Sequence, residues 1–395
     1  MSHACTLIKN GRLITPDRTI ESGCILIKDG VIAEVKGGAD PDALYGRIDG
    51  LRVIDAGGLY VSPGFIDIHV HGGGGRDATE GTADAIVHMA RAHAKYGTTG
   101  IVPACSAAPI DELIQSVDAI KEASGMFPTI LGAHLEGPFF STAQKGAQNE
   151  EYIKNPADVD YGPLLDRWDK ILIMSAAPEL PGGLELGRAL RRRGILASVG
   201  HSDADYDTMV DALESGYSHV THLYSGCSIV RRINAFRVAG VVESAFLLDG
   251  YTVEIIADGK HLPPPLLKLI YKIKGPERIS LITDGIRFSA AEIEEGSVYR
   301  ESGMEVIYED GVMKLLSREA FAGSVANTGW LVRNMVRLAG VPLECAVKMA
   351  SLSPARVLGL EYRKGRLAVG YDADIVVFDE NVDVRNVLVG GECPL

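Results

Sequence analysis

Phe65-Ile66-Asp67-Ile68-His69-Val70-His71 runs directly into four glycines, Gly72 to Gly75. It reads as a short apolar strand with a turn at its end, and a strand places residues two apart on one face, so both imidazoles point the same way. Seven further strand-like apolar runs follow: Thr99–Cys105, Thr129–Leu135, Ile171–Ala176, Ile195–Gly200, His219–Leu223, Thr252–Ala257 and Ile279–Thr283. Helical patterns separate most of them, at Thr82–Lys95, Ile110–Ala123, Leu184–Arg193, Ala204–Glu214 and Pro264–Lys272. Continuous apolar runs alternating with helices mark parallel strands covered on both faces. Eight such units in about 230 residues match an α/β fold of the (β/α)8 TIM-barrel type. A doubly wound open sheet is the alternative arrangement of the same units.

Outward from that frame the texture changes. The first 58 residues read as β-structure, with a hairpin over Ile25–Val35 around Asp29-Gly30. The last 35 or so return to it, with short runs at Asp374–Phe378 and Val384–Val389. These ends predict one small β-sandwich domain built from both termini, 1–58 plus 360–395, around a barrel domain, 59–359. Within the eighth unit an insertion near Ser297–Leu316 carries a second hairpin signal, Glu309-Asp310-Gly311, and helices over Thr328–Leu338 and Leu343–Ala350 come after it.

Composition narrows the function classes. The chain has 395 residues, 46% apolar and 23% charged, which fits a globular protein and not a disordered one. A net charge of −13 offers no electrostatic footprint for nucleic acid and no polybasic membrane anchor. No apolar run approaches the ~18 residues of a membrane span. The opening Met1–Asn10 lacks a signal-peptide layout, and the six cysteines form no CxxC pair. The expectation is a soluble cytoplasmic globular protein with reduced thiols.

The chemistry sits where the runs end. His69 and His71 close the first, Glu136 the third, His201 the fifth, His222 the sixth and Asp284 the eighth. Barrel enzymes build their sites at that end of the strands. Singly, such a histidine is an ordinary hydrogen-bonded residue and Asp-Gly an ordinary turn; six ligand-type side chains converging are a metal site. Imidazole and carboxylate suit one or two divalent ions, Zn²⁺ first and Fe²⁺, Mn²⁺ or Co²⁺ as alternatives.

Pro63–Gly72 resembles the metal-binding opening of the amidohydrolase superfamily. His134-Leu135-Glu136-Gly137-Pro138, Gly200-His201-Ser202, Thr221-His222-Leu223-Tyr224, Ile256–His261, Thr283-Asp284, Ala322-Gly323-Ser324 and Met349–Arg356 resemble its N-acetylglucosamine-6-phosphate deacetylase family, in order along nearly the whole chain. The resemblance implies metal-dependent removal of an N-acetyl group from an amino-sugar phosphate. Glu136, His201 and His222 would hold one ion and His69 and His71 a second. Glu136 would bridge them, with Asp284 beside them as the acid/base. The fourth run has no lysine that could bridge two metals as in dihydroorotase-like relatives. The resemblance also implies a homodimer, and substrate contacts at Gln148, Ser225, Gly226, Arg231, Arg232, Arg237, His261, Ala322 and Gly323.

Two of these positions depart from the family. Gln148 stands where a histidine polarises the amide carbonyl, and Ser225-Gly226-Cys227 replaces Asn-Ala-Met. The alternatives are therefore another N-acyl amino sugar such as N-acetylgalactosamine 6-phosphate, a deaminase on the same fold, or a non-catalytic relative.

Overall fold

Eight parallel strands follow one another round a single sheet in chain order: β1 (Phe65–Val70), β2 (Thr98–Cys105), β3 (Ala133–Glu136), β4 (Ile171–Ala176), β5 (Leu196–Val199), β6 (Tyr217–Val220), β7 (Thr252–Ile255) and β8 (Ile279–Leu281). The structure is a computed structural model describing residues 5–38, 40–46, 48–301, 304–319 and 321–394. The first four residues of the opening stretch, and Leu395, lie outside those described. Neighbouring strands are all paired parallel. The ring closes through a parallel bridge between Val70 and Gly285, where the Asp284 N–H donates to the His69 carbonyl at 3.0 Å and the His71 N–H to the Gly285 carbonyl at 2.9 Å. Asp67 tightens this seam: its carboxylate accepts from the Thr283 hydroxyl at 2.5 Å and from the N–H groups of Thr283 and His69.

The helices form where local chemistry starts them. Thr82, Asp205 and Asn327 accept backbone N–H groups at the starts of Ala83–Ala94, Tyr206–Glu214 and Thr328–Arg337. Pro264 opens Pro264–Lys274, where its missing N–H costs nothing. Strand bounds differ from expectation at the third run, whose strand begins only at Ala133, and at the sixth. The sixth strand is Tyr217–Val220, and the chain turns from Thr221 onward, so that His222 stands beyond the sheet with φ of 29°.

Between β8 and the final helices sits a small antiparallel sheet, Val298–Glu301, Met304–Glu309, Val312–Leu315 and Phe321–Gly323. Its hairpin turn at Asp310-Gly311 has φ of 56° and 74°, the left-handed pair that a two-residue turn requires. The chain ends meet in one seven-stranded sheet: Thr6–Ile14, Thr19–Lys28, Val31–Gly37, Arg52–Asp55, Tyr60–Pro63, Ile375–Phe378 and Val384–Leu388. All seven strands contribute to one apolar cluster around Ile8, Leu13, Ile25, Val61 and Ile375, so the sheet wraps its own core. Tyr60–Pro63 pairs antiparallel with Ile375–Phe378, which joins the two ends. Among the described residues no helix is long and apolar enough to cross a membrane. Cys24, Cys105 and Cys227 are buried and Cys393 is exposed.

Lys364 clips the returning chain to this sheet. Its ammonium donates to Asp374 at 2.5 Å, lies 2.8 Å from Asp372, and is almost wholly buried. Asp374 in turn accepts the Gly390 N–H, and its carbonyl accepts the Gly64 N–H. Removing one partner of a buried pair leaves the other charge uncompensated, at about 3–5 kcal/mol. Lys364→Ala is expected to lower the chemical-denaturation midpoint by the equivalent of that loss; an unchanged midpoint would count against the clip.

Candidate metal centre

Every side chain predicted to bind metal arrives at the same mouth of the barrel. His69 lies within β1 and His71 just past it; Glu136 ends β3; His201, His222 and Asp284 follow β5, β6 and β8. His201, His222 and Asp284 have φ of 47°, 29° and 46°. Non-glycine residues held there cost about 1–3 kcal/mol each, and such strain clusters at working sites. The strand ends curl inward at these residues, which brings their side chains together.

All four imidazoles present Nε2 to the centre. His69 Nε2 lies 3.3 Å from His71 Nε2 and 3.5 Å from Asp284 Oδ1, and His71 Nε2 lies 3.2 Å from that same oxygen. Glu136 Oε1 faces His222 Nε2 at 3.0 Å, His201 Nε2 at 3.3 Å and His69 Nε2 at 3.5 Å, while Oε2 is 3.4 Å from His71 Nε2. Four donors placed tetrahedrally about 2.0–2.1 Å from one ion are about 3.3 Å apart. The observed separations match that edge length in two groups, His69/His71/Asp284 and Glu136/His201/His222, which meet at Glu136. The donor set therefore fits one or two divalent cations.

Three of the four outward ring nitrogens are also occupied, His222 Nδ1 being the exception. His69 Nδ1 lies 3.1 Å from Glu254 Oε2, His71 Nδ1 3.2 Å from the Ser106 hydroxyl, and His201 Nδ1 2.8 Å from the Gln144 carbonyl. The carbonyl can only accept, so it fixes the His201 proton on Nδ1 and leaves Nε2 as the ligand atom.

Electrostatics tell the same story. Burial works against a charged His69, but Asp284, Glu254 and Glu136 outweigh it and push its pKa up to about 10. His222 is likewise raised well above its ordinary value, against burial, by the neighbouring Cys227 and Glu136 side chains. Burial alone would raise the Glu136 carboxyl, yet His69, His201 and His222 hold it well below the usual range. Buried carboxylates here demand cations, and protonated histidines supply them when no metal does. His134 lies behind the centre; burial pushes its pKa down to about 3, and it bonds the Ser175 hydroxyl at 2.7 Å.

The substrate candidates are more scattered. Gln148 reaches the centre: its Nε2 donates to Glu136 Oε2 at 2.6 Å and its Oε1 accepts the Ala107 N–H at 3.0 Å. The Ser225 N–H is taken by the His222 carbonyl. Gly226 has φ of 56°, and a Cβ there would lie 2.7 Å from His201 Nδ1. Arg231 pairs with Asp203 at 2.8 Å, whereas Arg232 and Arg237 sit exposed across from each other in the hairpin Arg231–Ile233/Phe236–Val238. His261 bonds Asp258 at 2.6 Å and packs on the Phe321 ring. Ala322 and Gly323 lead into Ser324, which bridges to Gly285 beside Asp284. The sequence reading does not reach Glu254, Asp67, Ser106 and Gln144, which the structure places against the ligands or the seam beside them. Glu254 and Asp67 show in the sequence only as single carboxylates within strand runs, without the partners that give them meaning.

The sequence matches the amidohydrolase family over residues 60–393. It is 33% identical to N-acetylglucosamine-6-phosphate deacetylase of Bacillus subtilis, covering 96% of this chain and 94% of that one. It is 32% identical to the human enzyme of that name, over 98% and 93%. The fold matches N-acetylglucosamine-6-phosphate deacetylase from Pasteurella multocida with a TM-score of 0.89 at 27% identity, covering 98% and 99% of the two chains. A variant of the Mycobacterium smegmatis enzyme in complex with N-acetyl-D-glucosamine-6-phosphate matches at 0.87, with 30% identity and full coverage of both.

Two outcomes follow from this geometry. A metal entering the centre must displace protons from His69 and His222, so apparent affinity should rise with pH, by up to about tenfold per unit for each proton released. Calorimetric titration at several pH values measures this, and a pH-independent affinity would contradict the charge balance described. Gly226→Ala should push His201 out of position and weaken metal binding about 10–100-fold, read by chelator competition; wild-type affinity would show that the contact is slack.

Proposed function

We infer, for a chain that belongs to the amidohydrolase family and within it to the N-acetylglucosamine-6-phosphate deacetylases, that it hydrolyses the N-acetyl amide of N-acetylglucosamine 6-phosphate to glucosamine 6-phosphate and acetate. The observation that carries this is the meeting of two donor triads at the buried Glu136. Glu136, His201 and His222 would hold one ion, and His69, His71 and Asp284 a second, Zn²⁺ being the first choice for this nitrogen and oxygen set. A bound divalent cation lowers the pKa of water to about 7 and polarises an amide carbonyl.

The chain's own groups do the rest. Asp284 is the most open of the central carboxylates, with a fifth of its side chain exposed. It accepts a proton from the attacking water and delivers it to the departing amine nitrogen. Without that delivery the tetrahedral intermediate would expel hydroxide instead. Gln148 keeps one Nε2 hydrogen on Glu136 and has a second for the substrate carbonyl. His261, steadied by Asp258, orients the sugar together with Ala322 and Gly323.

Ser225 and Gly226 line the way to the phosphate. Arg231 is held by Asp203, which leaves Arg232 and Arg237 as its cationic partners. Those arginines share their exposed hairpin with Phe236, 76% exposed, and with Ile229, Val230 and Ile233. An apolar surface beside basic residues supports a homodimer in which the hairpin reaches the neighbour's site. A cytoplasmic location fits a phosphorylated metabolite. In domain terms, a small β domain (1–58 with 360–395, lengthened by Tyr60–Pro63), one wrapped sheet where a sandwich was expected, flanks a catalytic barrel that extends to residue 359.

The departures at Gln148 and Ser225-Gly226 favour one second reading, N-acetylgalactosamine 6-phosphate. Acetate release from both sugars and from unphosphorylated N-acetylglucosamine, with Zn²⁺, Mn²⁺ or Fe²⁺ returned to chelated enzyme, separates them. Turnover of none, by protein that binds metal, would reject both. Asp284→Asn should retain the ion held by Glu136, His201 and His222 yet lose about 10²–10⁴-fold in kcat; near-normal turnover removes its role. Sedimentation of the active enzyme should give a dimer, and a fully active monomer would remove the hairpin's part.

A further inference from the structure

Glu254 stands on β7 with no exposed surface, in the run Thr-Val-Glu-Ile that is otherwise apolar after its first residue. A carboxylate so placed needs a reason, because burying one without partners is expensive. Its Oε2 lies 3.1 Å from His69 Nδ1 and accepts the backbone N–H of His222 at 3.2 Å. Its Oε1 lies 3.4 Å from His219 Nε2. One oxygen thus touches a residue from each donor triad: the ring of His69 from behind, and the main chain of His222 at the turn where φ is 29°.

We propose that Glu254 is the positioning residue of the His69/His71 side of the centre. It holds the His69 proton on Nδ1, aims Nε2 at the ion, and fixes the turn that presents His222. A carboxylate can only accept, so Nδ1 must carry the hydrogen, and the Nε2 lone pair is left for coordination. The close group His69/His134/Glu254 does not compete as an ion site of its own. Both ring nitrogens of His134 are engaged, with the Ile68 carbonyl at 3.2 Å and the Ser175 hydroxyl at 2.7 Å. Glu254 touches no substrate, and its role runs through His69.

The proposal rests on His69 and His71 acting as ligands, and the test keeps the two apart. Apo wild type, Glu254→Leu and Glu254→Gln are titrated with Zn²⁺ against a chromophoric chelator, and bound metal is counted by elemental analysis. The Zn²⁺-loaded proteins are examined for the exchangeable imidazole proton of His69 in the downfield proton spectrum. Wild type is expected to bind two equivalents and to show that resonance. Glu254→Leu should lose the resonance and about 10–100-fold in affinity for the His69/His71 equivalent, with a smaller loss at the other, whose His222 turn loses its acceptor. Glu254→Gln can turn its carbonyl toward His69 and His222 and its NH₂ toward His219, so it should keep both equivalents and move the resonance.

One equivalent in wild type would remove the ligand reading and this proposal together. Two equivalents in wild type, with a Glu254→Leu titration that overlays it, would remove this proposal alone. Should Glu254→Leu fail to fold, Glu254→Gln decides: an unmoved resonance means that the Nδ1 proton points elsewhere and overturns the assignment.

Discussion

Glu136 carries a negative charge with almost no access to water, inside a ring of four imidazoles. Taking a carboxylate out of water costs several kcal/mol unless a cation answers it. Much of the barrel's upper end is arranged around that demand. Three strand ends adopt left-handed turns to bring ligands inward, and Asp67 seals the seam where the first strand meets the last. Two further carboxylates, Asp284 and Glu254, add negative charge nearby, so the mouth is short of cations by design of its sequence.

Beneath the centre the barrel is bridged by polar side chains where apolar layers are the norm. His134, Ser175, Thr221 and Ser198 form a chain of hydrogen bonds of 2.6–2.7 Å across β3, β4, β5 and the end of β6. Each member is buried, and each bond has a partner from a different segment. Buried networks of this kind rigidify when every group is satisfied. A floor of this sort holds the ligands above it in place without the metal's help.

How much of this was legible follows from where each signal lay. The eight barrel strands read clearly because parallel strands buried on both faces are unbroken apolar runs. The metal ligands read clearly because histidine and carboxylate stood at the ends of those runs. The sixth strand was displaced because Thr221-His222-Leu223 prolongs the apolar texture, while His222 must leave the sheet to face Glu136. Glu254 and Asp67 were passed over because a single charge inside an apolar run carries meaning only once its partner, 185 or more residues away, is known. The loops that face substrate read least well. Arg231 is a substrate-contact candidate in the sequence and is held by Asp203, a pairing that no local pattern announces.

The terminal sheet pairs Tyr60–Pro63 with Ile375–Phe378, so this one early strand finds its second neighbour only after the barrel between them has been made. On a ribosome adding about 5–20 residues per second, the early strands wait for tens of seconds with an open edge. The strands from Thr6 to Pro63 precede the barrel in the chain, yet their sheet is complete only when Ile375–Phe378 arrives. Nascent chains should therefore engage holding chaperones through this segment, and their release should coincide with the arrival of the late strand.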